Sequence, residues 1–316
     1  MRIPEPAGQT GFSRRGFLAT AALVPLLGAA DSRYKIGITT NTIGGWEKDP
    51  FVGFREARAL GYRYVESFVQ YFPEYYPDKP DQLRKRLDEI GVGLVTLSNG
   101  GAFTETHFED PGKRDKIVAD HLRLVRFIKP FGCDHLKINC GPRSLNGATG
   151  EDLRNMAIVL DQLGRAIGDE GMRFAVHAHM WSQFENRREI DYIMLHTDPK
   201  NVQFVLDTGH ITMAGMDPVE LARKLGRRVI EFHLKDTQPQ HRGGAKARIE
   251  RPDMKKDPPF FPLGSGGVDF PALKAYLDEI DWRGWLTVEL DSSPFREPKE
   301  SARISRDYIK ELGIHM

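Results

Sequence analysis

Eight short apolar runs, rich in β-branched residues, alternate along this chain with eight stretches whose apolar residues recur every three or four positions. The runs fall at 34–40, 64–69, 93–98, 135–140, 173–179, 202–207, 229–235 and 285–290. The intervening stretches at 51–60, 81–90, 113–129, 151–170, 189–196, 218–225, 270–280 and 300–312 predict helices. Glycine follows several of them (Gly61, Gly91, Gly171, Gly226) as a C-terminal stop, and Asp217-Pro218 and Asp269-Phe270-Pro271 read as capped starts. Strands alternating with helices demand a parallel sheet, and eight of each is the count of an α/β (β/α)8 TIM barrel. An open doubly wound sheet is the competing architecture.

The polar residues favour the closed form. Four runs end in imidazoles or carboxylates: H-A-H at His177–His179, D-T-G-H at Asp207–His210, F-H-L-K-D at Phe232–Asp236 and V-E-L-D at Val288–Asp291. In a closed barrel such ends converge, whereas in an open sheet most lie far from the switch point. Side chains alternate faces along a strand. Glu231, His233 and Lys235 therefore share one face, as do Thr287, Glu289 and Asp291. An inward-pointing set of His177, Asp207, His233 and Glu289 offers two nitrogens and two carboxylates, which suits one divalent ion such as Mn, Co, Zn or Fe(II).

The first residues read as an address. Ser13-Arg14-Arg15-Gly16-Phe17-Leu18 is a twin-arginine pattern, followed by an apolar run to Leu27 and by small residues at 28–30. Residues 1–30 are expected to be a twin-arginine signal peptide and 31–316 a single barrel, exported folded to the periplasm with no stable membrane insertion after cleavage. The full chain carries 45 Lys and Arg against 44 Asp and Glu. Removing Arg2, Arg14, Arg15 and Glu5 leaves 42 against 43, a balance that argues against a nucleic-acid partner. Cys133 and Cys140 are expected to be buried thiols.

With these motifs assembled, residues from 34 onward resemble the xylose isomerase-like TIM-barrel superfamily, the sugar phosphate isomerases and epimerases with inosose dehydratase, ketose 3-epimerase and endonuclease IV relatives. The resemblance rests on D-T-G-H, H-L-K-D and V-E-L-D in that order, and implies metal ligands at Asp207, His233 and Glu289. Many members place Glu where this chain has His177, and many carry Glu where it has Ser265, between Gly264 and Gly266. Losing the first Glu removes a charge and one of the two opposed glutamates that epimerisation uses.

The implied chemistry is proton removal beside a carbonyl of a sugar, keto-sugar or cyclitol, through a metal-stabilised enediolate that leads to isomerisation, epimerisation, or lyase and dehydratase products. The loss of the Glu points toward the lyase branch. Candidate bases are Glu66, Lys137, Glu185 and His210, with Lys235 and Asp236 polarising or positioning substrate. His179 and His210 are candidate substrate contacts, and Trp46, Trp181, Tyr71, Phe72 and Phe103 offer faces for a sugar ring. A non-catalytic periplasmic sugar-binding barrel and an endonuclease IV-like nuclease are the alternatives, the latter disfavoured because the second and third strand ends carry no His. Barrels of this type are often homo-oligomers.

Overall fold

The structure is a computed structural model that describes residues 33–100, 106–246 and 249–316. Phe103 and the twin-arginine segment lie outside the described residues. Eight parallel strands form a nearly closed barrel: β1 (Lys35–Thr39), β2 (Tyr64–Phe68), β3 (Gly93–Ser98), β4 (His135–Ile138), β5 (Arg173–His177), β6 (Gln203–Asp207), β7 (Val229–Leu234) and β10 (Trp285–Val288). The ladder runs β3-β2-β1-β10-β7-β6-β5-β4 around the ring. The remaining seam, between β3 and β4, is closed by side chains. Ser98 Oγ donates to Lys137 O at 3.1 Å, Asn99 Nδ2 donates to Asn139 O at 3.0 Å, and Asn139 N donates to Asn99 Oδ1 at 2.8 Å.

The helices expected from the apolar period are present within two residues at each end: α1 (Pro50–Ala59), α2 (Pro80–Ile90), α3 (Arg114–Ile128), α4 (Gly150–Asp169), α5 (Arg187–His196), α7 (Pro218–Leu225), α8 (Phe270–Glu279) and α9 (Pro298–Glu311). Their starts are chemically fixed. Asp217 accepts from Glu220 N at 2.8 Å and Asp269 from Ala272 N at 2.9 Å, while Thr149 with Asp152 and Asn186 with Glu189 form capping boxes. The apolar core lies between the sheet and this helical layer, where Phe54, Leu83, Leu160, Ile193 and Ile309 are wholly buried. Burying such faces outside the barrel leaves the lumen free to hold polar side chains. Cys133 and Cys140 are buried and unbridged. Among the described residues no helix is long and apolar enough to cross a membrane.

Two features depart from the sequence reading. A short helix, α6 (Thr208–Met213), follows β6 directly, because Asp207 caps it by accepting from His210 N at 2.8 Å. The long connection after β7 is not bare loop. It contains a two-residue antiparallel ladder of β8 (Asp236–Thr237) with β9 (Phe260–Phe261).

Candidate metal centre

Strand parity delivers the expected set to one place. His177 ends β5, Asp207 ends β6, His233 lies on β7, and Glu289 follows β10 with its backbone N–H bonded to Leu234 O at 3.0 Å. All four are buried, and one donor atom from each lies within 4.8 Å of the others. Donors held about 2.1 Å from a tetrahedral ion stand about 3.4 Å apart. Here His177 Nε2 is 3.4 Å and His233 Nδ1 3.8 Å from Asp207 Oδ2.

The second layer selects which nitrogen is offered. His177 Nδ1–H donates to Asn139 Oδ1 at 2.8 Å, which turns the bare Nε2 toward Asp207. Burial pushes the His177 pKa down to about 3, so the ring is a neutral donor. A lone pair facing a carboxylate oxygen across 3.4 Å is a pairing that a cation between them would relieve. Burial also opposes charge on His233, but Glu289 and Glu66 outweigh it and draw that pKa well above the ordinary value. His233 Nδ1 sits 2.5 Å from Glu289 Oε2, where a divalent ion would serve in place of the ring proton.

The charge balance reaches the same answer. Five carboxylates line the lumen and its upper mouth: Glu66, Asp207, Glu231, Glu289 and Asp291. They face three fixed cations, Lys137, Lys235 and His135. With the His233 ring neutral, as a metal ligand must be, two negative charges remain, the complement of one divalent ion. The residues therefore fit such an ion in donor type, spacing and charge.

The D-T-G-H segment is accounted for residue by residue. Asp207 is both donor and helix cap. Thr208 Oγ1 accepts from Lys235 N at 3.0 Å and donates to Lys235 O at 2.7 Å, clamping the ends of β6 and β7 together. Gly209 leaves room for Lys235, since a Cβ there would lie 2.7 Å from Lys235 Cγ. His210 Nε2 accepts from Lys235 Nζ at 2.9 Å. Lys235 Nζ, wholly buried, also lies 3.1 Å from Asp207, 3.1 Å from Glu289 and 2.8 Å from Asp291. Burial opposes its charge, but these carboxylates raise its pKa and keep it an ammonium. His179, His210 and Asp291 form a further set of mutually close donors. Lys235 already supplies the cation of that set.

Several expected roles are corrected. Glu66 is not a free base: its Oε1 is 2.5 Å from Lys137 Nζ, and both side chains are buried. Burial would raise the Glu66 pKa, yet Lys137 and His233 hold it down at about 2. Lys137 is in turn the buried ion-pair partner of Glu66. Glu185 braces a loop by accepting from Trp181 N at 2.5 Å. Asp236 organises the long connection instead of touching substrate: its oxygens accept from the amides of Thr237, Val268, Gly264 and Gly266 at 2.9 to 3.0 Å. Gly266 must stay small there, because a Cβ would lie 1.9 Å from Thr237 O. Trp46 is packing, with Gly53 of α1 against its ring and its Nε1 donating to Glu56 at 2.7 Å. Phe72 stacks on Phe54, and Tyr71 lies in the same layer, packed against the apolar core.

His179, His210, Trp181 and Lys235 do gather at the mouth. The His179 and His210 rings are 3.7 Å apart, and the Trp181 ring stands 6.5 and 6.3 Å from them. Trp181 adopts φ 66°, a strained conformation for a non-glycine residue, and its Nε1 donates to Ile249 O at 2.9 Å. That bond ties the β5 loop to the long connection. Phe260 of β9 closes the wall, 4.8 Å from both the His210 ring and Lys235 Nζ. His179 Nδ1–H donates to Met180 O at 2.6 Å, leaving Nε2 as its acceptor, and burial lowers its pKa. His179 is partly exposed, whereas His210 is 1% exposed.

Asn139, Asn99, His135, Glu231 and Asp291 were not singled out as site residues. The same parity rule flags Asn139, two positions beyond Lys137, and places Glu231 and Asp291 on the face of their ligand neighbours. It equally flags His135, two positions before Lys137, while no comparable signal marks Asn99.

Residues 54–312 match the family model for xylose isomerase-like TIM barrels. The inosose dehydratase of Clostridium beijerinckii is 32% identical over 254 residues, covering 75% of this chain and 82% of the relative. That of Clostridium botulinum strain Alaska E43 is 34% identical over 252 residues, with the same coverage. Among solved structures, D-psicose 3-epimerase from Clostridium cellulolyticum H10 with D-tagatose superposes with a TM-score of 0.68 at 16% identity, covering 88% of this chain and 98% of that one. The IolI protein with a bound zinc atom gives 0.67 at 18% identity, over 88% and 97%.

Proposed function

Starting from a chain that belongs to the xylose isomerase-like TIM-barrel family, we propose that it is a divalent-metal-dependent lyase or dehydratase acting on a keto-sugar or keto-cyclitol. The observation that carries this reading is the mouth itself, where neutral imidazoles, a buried ammonium and a metal donor set lacking the usual first Glu meet at one point. Inosose dehydratases at 32 to 34% identity support the dehydratase branch. An ion bound by His177, Asp207, His233 and Glu289 supplies Lewis acidity toward adjacent substrate oxygens.

The remaining work falls to the chain's own groups. His179 Nε2 takes the proton from the carbon beside the ketone. The electron pair moves toward the carbonyl oxygen, where the Lys235 ammonium stabilises the developing charge. The pair then forms a carbon–carbon double bond and expels the oxygen substituent at the β carbon. That oxygen recovers the proton from the His179 imidazolium and departs as water or an alcohol. Trp181 and Phe260 wall the mouth and keep water from the carbanion-like stage.

The test is incubation of Mn- or Zn-loaded protein with an inosose and with a 3-keto-glycoside. The expected products are an enone absorbing in the ultraviolet together with water or free aglycone, and His179→Ala should cut kcat by roughly 100-fold or more while leaving metal affinity intact. An isomeric sugar as sole product assigns the epimerase outcome. No turnover and no exchange of carbon-bound hydrogen with deuterated solvent assigns a binding protein. Either result overturns the proposal.

A further inference from the structure

Below the metal centre lies a second set of ligand-type atoms that the reaction does not use. Glu66, Glu231 and His233 each present a donor within 4.8 Å of the others. His233 Nε2 is 3.3 Å from Glu66 Oε2 and 3.7 Å from Glu231 Oε1. Two carboxylates and an imidazole, dry and close together, have the composition of a divalent-ion seat. It competes directly with the upper set, because a neutral imidazole has one lone pair to give. If Nε2 binds downward, Nδ1 keeps its proton and is lost to the upper set.

Each lower carboxylate already holds a cation from β4. Lys137 Nζ is 2.5 Å from Glu66 Oε1. His135, wholly buried, donates Nε2–H to Glu231 Oε2 at 2.8 Å and Nδ1–H to Asp134 Oδ1 at 2.7 Å. The Thr287 hydroxyl donates to the other Glu231 oxygen. A ring with both nitrogens donating to carboxylates is an imidazolium by geometry. Asp134, at the lower mouth, is itself held by Arg173 of β5 at 2.9 Å, Lys35 of β1 at 3.4 Å and the Trp285 indole of β10 at 3.3 Å.

We propose that His135 and Lys137 are positioning residues whose side-chain cations fill the lower donor set and so confine a divalent ion to the upper one. This inference rests on the reading that the upper set binds metal. With the lower carboxylates neutralised, His233 keeps its proton on Nε2 facing Glu66 and presents Nδ1 to Asp207 and Glu289. Burial disfavours the His135 charge, but its hydrogen bonds to Asp134 and Glu231 prevail and lift its pKa to about 9. The ring is therefore charged at neutral pH.

The experiment compares wild type with the double variant His135→Gln/Lys137→Met by equilibrium dialysis against Mn2+ and by anomalous scattering from Mn-soaked crystals. Wild type is expected to hold one ion among His177, Asp207, His233 and Glu289. The variant is expected to show an anomalous peak between Glu66, Glu231 and His233 Nε2, and at least tenfold weaker binding at the upper set. Unchanged location and affinity in the variant overturns the confining role alone. Absence of Mn2+ from wild type overturns the metal reading and this inference together.

A second measurement needs no variant to fold. Nitrogen-15 histidine NMR of metal-free wild type should show His135 protonated on both nitrogens at pH 7 and titrating near pH 9. A neutral His135 at pH 7 overturns the proposal.

Discussion

The lower and upper halves of the lumen are built from the same side-chain types and differ in how charge is matched. Below, Glu66 has Lys137 and Glu231 has His135, one cation to each carboxylate. Above, Asp207, Glu289 and Asp291 share the single ammonium of Lys235. Buried ions are tolerated only when partnered, since desolvation of an isolated charge costs several kcal/mol. The lower half is thus a finished scaffold, while the upper half is short of positive charge in the place where His177 and His233 offer nitrogen. What separates a structural ion-pair layer from a binding site here is the ratio of cations to carboxylates.

That contrast can be broken from either side. The largest effect is expected from Glu66→Gln, which strands the Lys137 charge in the dry lower half. Denaturant unfolding should show a loss of about 3 to 5 kcal/mol, largely recovered in Glu66→Gln/Lys137→Met. Next is Asn139→Ala, which frees the His177 ring. Its metal affinity, by calorimetry, should fall about 10- to 100-fold with little change in metal-free stability. Asp207→Asn should likewise cost little stability. Asn still caps α6 and Lys235 keeps Glu289 and Asp291, so metal-free stability should stay within about 1 kcal/mol while metal binding is lost. A loss for Asp207→Asn as large as that for Glu66→Gln would erase the distinction between the two halves.

The His135 ion pair adds a pH signature to the lower half. Its folded pKa, about 9, lies above the ordinary 6.5. The pair therefore contributes stability that is fully present below pH 6.5 and is lost as pH rises through 9.

Much of this was legible beforehand, for physical reasons that differ by element. The helices were readable because each buries one face against the sheet, so its apolar spacing is imposed by packing. The four donors were readable because a strand points alternate residues the same way, and a barrel then fixes where those residues meet. Two of the base candidates, Glu66 and Lys137, are ion-paired with each other. They lie on β2 and β4, the strands that flank β3, 71 positions apart in sequence, and only the closed barrel pairs them. The setting of Asp236 was hidden for a similar reason, since three of the amides it accepts from belong to residues 264–268, across the long connection. His135 shares the face of Lys137 by strand parity, but the first residue of a strand is ordinarily at the solvent edge, and its burial depends on Glu231 across the lumen.

The stitched seam between β3 and β4 has a consequence for the centre. Asn139 joins that seam to Asn99 and, by its own amide oxygen, holds the His177 ring in its working pose. The residue that helps shut the cylinder is therefore also the one that aims the first nitrogen. A chain with those two edges apart would carry the same four donors but would lack the Asn139 contact that turns His177 Nε2 toward Asp207.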